Sequence, residues 1–182
     1  MVWQSANVTV IPKSAPSPDR VNYLPISITP ILSNVYVKLV SHNLSIFCEK
    51  YDIFPAAQFA YFKGLGCTDV LPAISHHLQK SLDSGMESYI VQLDFSAAFD
   101  RVSHSGVLFK LKSIGVDGSV LSICMEFLPN HRQRVVVDGD TSECIPIVSG
   151  VPQGSVLCPL LFILYTSEMF ELVENRLYAY TA

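Results

Sequence analysis

Val91-Gln92-Leu93-Asp94-Phe95-Ser96-Ala97-Ala98-Phe99-Asp100-Arg101-Val102 is the stretch on which the reading of this chain turns. An apolar run from Tyr89 to Leu93 delivers a carboxylate. Three small residues, an aromatic and a second carboxylate follow Phe95. The run comes after the breaker Gly85 and is rich in β-branched and aromatic residues, so it reads as a short strand. Asp94 then stands at a strand's C-terminal end, a common place for a metal-binding or catalytic carboxylate in layered α/β and α+β folds. Ser96, Ala97 and Ala98 let backbone N–H groups approach a ligand closely, as a phosphate chain requires. Phe99 could form a floor or wall beside the carboxylate. The plainer alternative is a strand end capped by Asp94, with Phe99 in the core.

About fifty residues on comes Ser149-Gly150-Val151-Pro152-Gln153-Gly154-Ser155-Val156-Leu157. Gly150 and Gly154 bracket a tight loop and Pro152 stiffens it. Ser155 is a candidate N-cap for a helix running to about Val173, and Pro159 sits near its first turn. A glycine-rich loop at a helix start can face phosphate or a nucleic-acid backbone. It is not the loop of a phosphate-loop NTPase, because no Lys follows Gly154 and the spacing differs.

The pair of motifs is more specific than either alone. The LDFSAAFDRV run followed by SGVPQGSVL and PLLF resembles the reverse transcriptases of non-LTR retrotransposons, most closely the jockey-like mobile elements of arthropods. Nearly the whole chain takes part, including Ile11-Pro12-Lys13, Tyr23-Leu24-Pro25-Ile26-Ser27 and Gln58-Phe59-Ala60-Tyr61-Phe62-Lys63-Gly64. The resemblance implies an α+β right-hand polymerase, with fingers over 1–88, a partial palm over 89–182 and no thumb. The order of helices and strands, mixed without strict alternation, also suggests α+β.

The resemblance also implies a chemistry. Nucleotidyl transfer to a primer 3′-OH is an in-line displacement served by two metal ions ~3.5–4 Å apart, and Mg²⁺ wants oxygen ligands in octahedral geometry. On this analogy Asp94 is the first metal-binding and catalytic carboxylate, and the backbone carbonyl of Phe95 also faces a metal. Ala97 and Ala98 would lie against the triphosphate. Phe99 would stack under the sugar and exclude a 2′-OH. Gln153 and Gly154 would line the template and nucleotide side, and Lys63 could supply a point charge to the triphosphate. An RNA template, a DNA primer and a deoxynucleotide are the implied partners.

Several positions depart from the family pattern. The family carries a Tyr-Ala-Asp-Asp turn after the long helix, where this chain reads Leu177-Tyr178-Ala179-Tyr180-Thr181-Ala182. If Tyr178 opens the turn, Tyr180 and Thr181 replace both carboxylates. If Tyr180 opens it, Ala182 replaces the first. Leu24 and Phe62 stand where the family has Arg, removing cations that would neutralise the triphosphate. Asp100 should point elsewhere and help lock the fold. The expectation is therefore a catalytically inactive copy. Two alternatives remain open: a non-enzymatic module binding nucleic acid or protein, and a decayed reading frame without selected function.

With 182 residues, 49% hydrophobic and 15% charged, the chain has the means to bury a core and disorder is not expected. A net charge of −4 argues against strong autonomous nucleic-acid binding, since phosphate-tracking surfaces are basic. Five cysteines without CxxC spacing read as buried free thiols in a reducing compartment. The N-terminus lacks a secretory pattern and the longest apolar run is too short to span a bilayer, so an intracellular, non-membrane protein is expected. His76, His77 and His104 lack a third ligand in register and read as surface histidines. His131-Arg132-Gln133-Arg134 is a small basic patch, open to nucleic acid or to plain solvation.

Along the chain, strands are expected within 1–13 and from Tyr23 to Thr29. A helix should start at Pro30 with Thr29 as N-cap and run to about Lys50, its apolar positions being Ile31, Val35, Leu39, Leu44 and Phe47. Further helices are expected at about 68–84, 105–114 and 119–127. A hairpin over 132–148 should turn at Asp138-Gly139, and a last strand should begin at Leu177.

Overall fold

The computed structural model describes residues 5–13, 19, 22–62, 64–172 and 178. Its elements in chain order are β1 (Ser5–Pro12), β2 (Tyr23–Ile28), α1 (Ile31–Lys50), α2 (Cys67–Asp83), α3 (His104–Ser113), α4 (Gly118–Phe127), β3 (Arg132–Val137), β4 (Asp140–Thr141), β5 (Ile145–Pro146) and α5 (Leu157–Thr166). A 3-10 turn, Ser167–Phe170, follows α5. The α+β class read from the sequence is the class observed. The chain divides into two compact units, 1–53 with 97–166 and 54–96 with 167–182.

The first unit is built on a sheet ordered β2-β1-β3-β4, with β5 also paired to β3. Alternation along β1 buries Ala6 and Val8 and exposes Asn7 and Thr9. β1 pairs antiparallel with β2 from Asn7↔Ile28 to Pro12↔Tyr23, and parallel with β3 from Ser5↔Arg132 to Val8↔Val135. The β3–β4 hairpin turns where expected: Asp138 (φ 51°) and Gly139 (φ 90°) both take the left-handed backbone that a tight two-residue hairpin demands.

α5 is the apolar centre of this unit. Leu157, Cys158, Leu160, Leu161, Ile163 and Leu164 are all buried, and α5 packs against α1 and α3. Each such leucine or isoleucine contributes about 1.5–3 kcal/mol on burial. Val107 and Leu111 of α3 and Cys124 and Phe127 of α4 complete the core.

Several expectations are corrected here. α1 starts after Pro30, and the Thr29 hydroxyl bonds the side chain of Asn34 rather than capping a backbone N–H. Of the periodic apolar positions on α1, Leu44 is buried, whereas Ile31, Val35 and Leu39 (59% exposed) face outward. The buried face is Ser33, Val37, Val40, Ser41, Leu44 and Cys48. The helix is apolar nearly all round, so periodicity cannot choose a face. α5 ends as an α-helix at Thr166 rather than near Val173. Ser155 is buried and its hydroxyl makes no capping bond. Cys144 is exposed, unlike buried Cys48, Cys124 and Cys158.

The second unit contains α2, which starts after Gly66 and whose Asp69 carboxylate accepts from the Gly66 amide at 2.8 Å. Gln58 is buried and donates from Nε2 to the Ala60 carbonyl at 3.3 Å. The strand expected from Tyr89 to Leu93 is not seen: residues 86–95 carry no ladder pairing with the described residues. Tyr89 (86%), Val91 (79%) and Leu93 are exposed. Strand propensity alone does not make a strand, because its backbone bonds must be answered by a neighbour, and none of the described strands pairs with this segment. The strand expected from Leu177 lies outside the described residues, apart from Tyr178.

Candidate active site

Ser96 to Arg101 form a turn. Ala97 takes φ +53°, and its carbonyl accepts the amides of Asp100 (3.1 Å) and Arg101 (3.2 Å). A methyl side chain at a left-handed position costs roughly 1–2 kcal/mol, which a larger branched residue would exceed. Phe99 is half-buried, its ring 5.1 Å from that of Phe162 on α5 and tilted by 44°. It therefore rests against a half-buried side chain of α5.

The loop 149–154 is bonded to this turn, backbone to backbone. The Val151 amide donates to the Phe99 carbonyl at 2.9 Å, and the Gly150 amide to the Val102 carbonyl at 2.7 Å. Ser149 Oγ donates to the Asp100 carbonyl at 3.2 Å. Gly150 has φ +85°, and a Cβ there would stand 2.8 Å from both Cα and O of Asp100. Only glycine fits such an approach. The far end of the loop is fastened to β2: Ser27 donates its amide to the Gln153 carbonyl at 2.8 Å. A Cβ on Gly154 (φ +109°) would stand 2.9 Å from the Ser27 carbonyl. Two motifs fifty residues apart are thus joined in one backbone-bonded assembly, which also includes the Pro25-Ile26-Ser27 block.

The fold-locking role expected of Asp100 belongs to its backbone; its side chain is exposed. Asp94 and Phe95 belong to the second unit and are exposed, and Asp94 has no hydrogen-bond or ion-pair partner among the described residues. Lys63 lies outside the described residues. Tyr178, the candidate first residue of the family's second turn, has its ring 6.2 Å from Phe59 and 6.1 Å from His77, all three in the second unit. No group of three or more His, Cys, Asp or Glu side chains that could hold a metal occurs among the described residues. Among the described residues Asp94 is thus a lone carboxylate, and one carboxylate does not by itself make a two-metal centre.

Two features escaped the sequence reading. His104, set aside as a surface residue, is half-buried and its Nε2 bonds the Gly150 carbonyl at 2.7 Å. The arginines of the basic patch are tied down on the sheet: Arg134 Nε donates to Asn7 Oδ1 at 2.8 Å and Arg132 to the Cys144 carbonyl at 2.6 Å. His131 between Leu128 and β3 is buried against Phe127. A signal for His104 was present in its place at the first turn of α3, directly after the motif turn.

Residues 11–181 match the family described as "Reverse transcriptase (RNA-dependent DNA polymerase)". The chain belongs to the reverse transcriptase family. This reverse transcriptase chain is 31% identical over 168 residues to the RNA-directed DNA polymerase from mobile element jockey of Drosophila melanogaster. That alignment covers 92% of the chain and 18% of the relative. It is 30% identical over 166 residues to the jockey polymerase of Drosophila funebris, with 91% and 18% covered. Over 96 residues it is 31% identical to the Pol polyprotein from the type-1 retrotransposable element R2 of Popillia japonica, covering 53% of the chain and 16% of that protein. These are relatives from non-LTR retrotransposons, and the chain spans about a fifth or less of their length. Among solved structures, apo telomerase from Candida tropicalis, truncated from its C-terminal domain, aligns with TM-score 0.61 and 13% identity over 93% of this chain and 39% of that one. The reverse transcriptase fold is therefore shared across a wide sequence distance. No helix among the described residues is long and apolar enough to cross a membrane.

Proposed function

We propose that this reverse transcriptase chain is the fingers (1–88) and part of the palm (89–182) of an RNA-directed DNA polymerase of jockey type, and that this copy is catalytically inactive. The observation that carries the polymerase reading is the backbone bond from Val151 to Phe99, which seats the SGVPQG loop on the AAFD turn. That seating gives a rigid ledge on which Ala97, Ala98 and Phe99 would meet a deoxynucleotide and Gln153 and Gly154 the template strand. Phe99, braced by Phe162, would act as a fixed wall against a 2′-OH rather than a swinging one. The chain's acidic balance favours weak autonomous grip on an RNA template and DNA primer.

Mg²⁺, when bound in such a polymerase, supplies positive charge to the transferring phosphoryl group and activates the attacking hydroxyl. In this chain Asp94 and the Phe95 carbonyl are the candidate ligands. Tyr180 and Thr181, in the register that opens at Tyr178, would leave them without partner carboxylates, and Leu24 and Phe62 remove two cations from the fingers. Loss of such charge stabilisation lowers rate by orders of magnitude.

The test is Mg²⁺-dependent primer extension on an RNA template by the purified protein beside its Asp94→Ala variant. No extension by either is the expected result. Extension by the parent that disappears in the variant would overturn the inactive reading and confirm Asp94 as catalytic.

A further inference from the structure

We infer that His104 is the positioning residue that holds the Gln153–Gly154 loop in register with the Ala97–Phe99 turn. The inference rests on the reading of that loop as the template and nucleotide side, and its geometry stands independently of catalysis.

A carbonyl oxygen only accepts, so the 2.7 Å contact between His104 Nε2 and the Gly150 carbonyl requires a proton on Nε2. The bond crosses 46 residues of sequence and is partly buried, where a carbonyl deprived of its donor would not be fully rehydrated. Gly150 is the residue at which the loop is most constrained. Its amide is bonded to Val102, a Cβ on it would stand 2.8 Å from the Asp100 backbone, and its φ of +85° is open to little but glycine. His104 answers the remaining polar group of that residue. With both N–H and C=O held, the peptide planes on either side of Gly150 cannot rotate, and the Val151 amide stays aimed at Phe99.

His104 can hold the loop only if it is itself held. It occupies the first position of α3, whose N-cap Ser103 accepts from the Gly106 amide at 3.2 Å. A Cβ on Gly106 would stand 2.7 Å from Tyr165 Cε2, so the first turn of α3 lies directly on α5. α5 in turn carries Phe162, on which Phe99 rests. The imidazole thus transmits the position of the buried α3–α5 pair to the loop, while Phe162 sets the turn from the same helix. Both halves of the site take their position from α5.

The measurement is residue-resolved amide hydrogen exchange on the whole chain, comparing the parent with His104→Leu and His104→Gln. Leu keeps the bulk without a donor, and Gln returns an N–H at similar reach. In His104→Leu, exchange at Gly150 and Val151 is expected to rise about tenfold, the effect of one lost hydrogen bond. The amides of Cys124 to Leu128 in α4 are expected to keep their parent rates, and His104→Gln to restore protection at Gly150 and Val151. Unchanged exchange at the loop, an equal loss throughout the unit, or failure of Gln to rescue would each overturn the inference. Should His104→Leu not fold, imidazole nitrogen spectra of the parent decide: a proton on Nε2 bonded to a carbonyl supports it, and an Nδ1–H tautomer overturns it. Primer extension bears on the polymerase reading alone, so the two can fail separately.

Discussion

The Cα of Asp100 lies so close to Gly150 that a single methyl group at position 150 would stand 2.8 Å from it. The contact is backbone against backbone, with no flexible side chain to give way. Gly150→Ala is therefore expected to destabilise the first unit by about 3 kcal/mol or more, from the left-handed φ together with the clash. Gly139 is the internal control. It also has positive φ (+90°) but nothing within 4 Å of its would-be Cβ. Gly139→Ala should cost only the backbone share, about 1–2 kcal/mol. Urea midpoints of the two variants, measured side by side, check the ordering.

Asp94 is exposed and unpartnered among the described residues. Asp94→Asn should leave the urea midpoint unchanged to within about 0.5 kcal/mol. A large loss would mean that the carboxylate is structural.

His131 is 1% exposed and neither ring nitrogen has a hydrogen-bond partner among the described residues. Burial holds its pKa below the usual 6.5. The sign follows from proton counting. Below pH 6.5 the unfolded chain binds a proton that the folded ring refuses, so stability is full above 6.5 and declines as pH falls below it toward the lower folded value. His131→Leu should remove that part of the decline and hold stability at pH 7 to within about 1.5 kcal/mol, since no hydrogen bond is lost. Thermal melts of parent and variant at pH 7.5 and 5.5 test this. An identical pH dependence in both would refute it.

Burial pushes the Cys48 and Cys158 thiols up to about 12 and Cys124 up to about 11. At pH 8 about a thousandth or less of each is thiolate, and access is blocked as well. Iodoacetamide should label exposed Cys144 first and half-buried Cys67 next, leaving the other three unmodified until denaturant is added. Peptide mass spectrometry reads the order directly.

Tyr89, Ile90, Val91 and Leu93 form an exposed apolar run without ladder partners among the described strands. Such a segment templates association between chains. Val91→Lys is expected to raise soluble yield and reduce light scattering without lowering the melting temperature. A drop in melting temperature would show that Val91 is packed rather than exposed.

The features legible in the sequence are those whose cause is local. Asp138-Gly139 demands a hairpin because both residues tolerate positive φ, and the turn forms there. Gly85 stops α2 near the expected place, and the α3 and α4 boundaries fall within about a residue of their expected positions. The glycines bracketing 150–154 marked a tight loop, and the family assignment followed from the order of the two motifs; that Gly150 packs on the Asp100 backbone was not legible. What was not legible depends on partners distant in the chain. Tyr89 to Leu93 have every local property of a strand, yet pairing is decided by a neighbour's free backbone edge. α1 offers apolar residues on both faces, so the packing of α5 selects the face carrying Ser33 and Ser41 and leaves Leu39 outside. His104 looks like any polar helix-start residue until α5 fixes the first turn of α3 and Gly150 brings its carbonyl within 2.7 Å. Local backbone preference acts over a few residues and can be read from their order. Burial and long-range hydrogen bonds act between residues that meet only once the chain has folded.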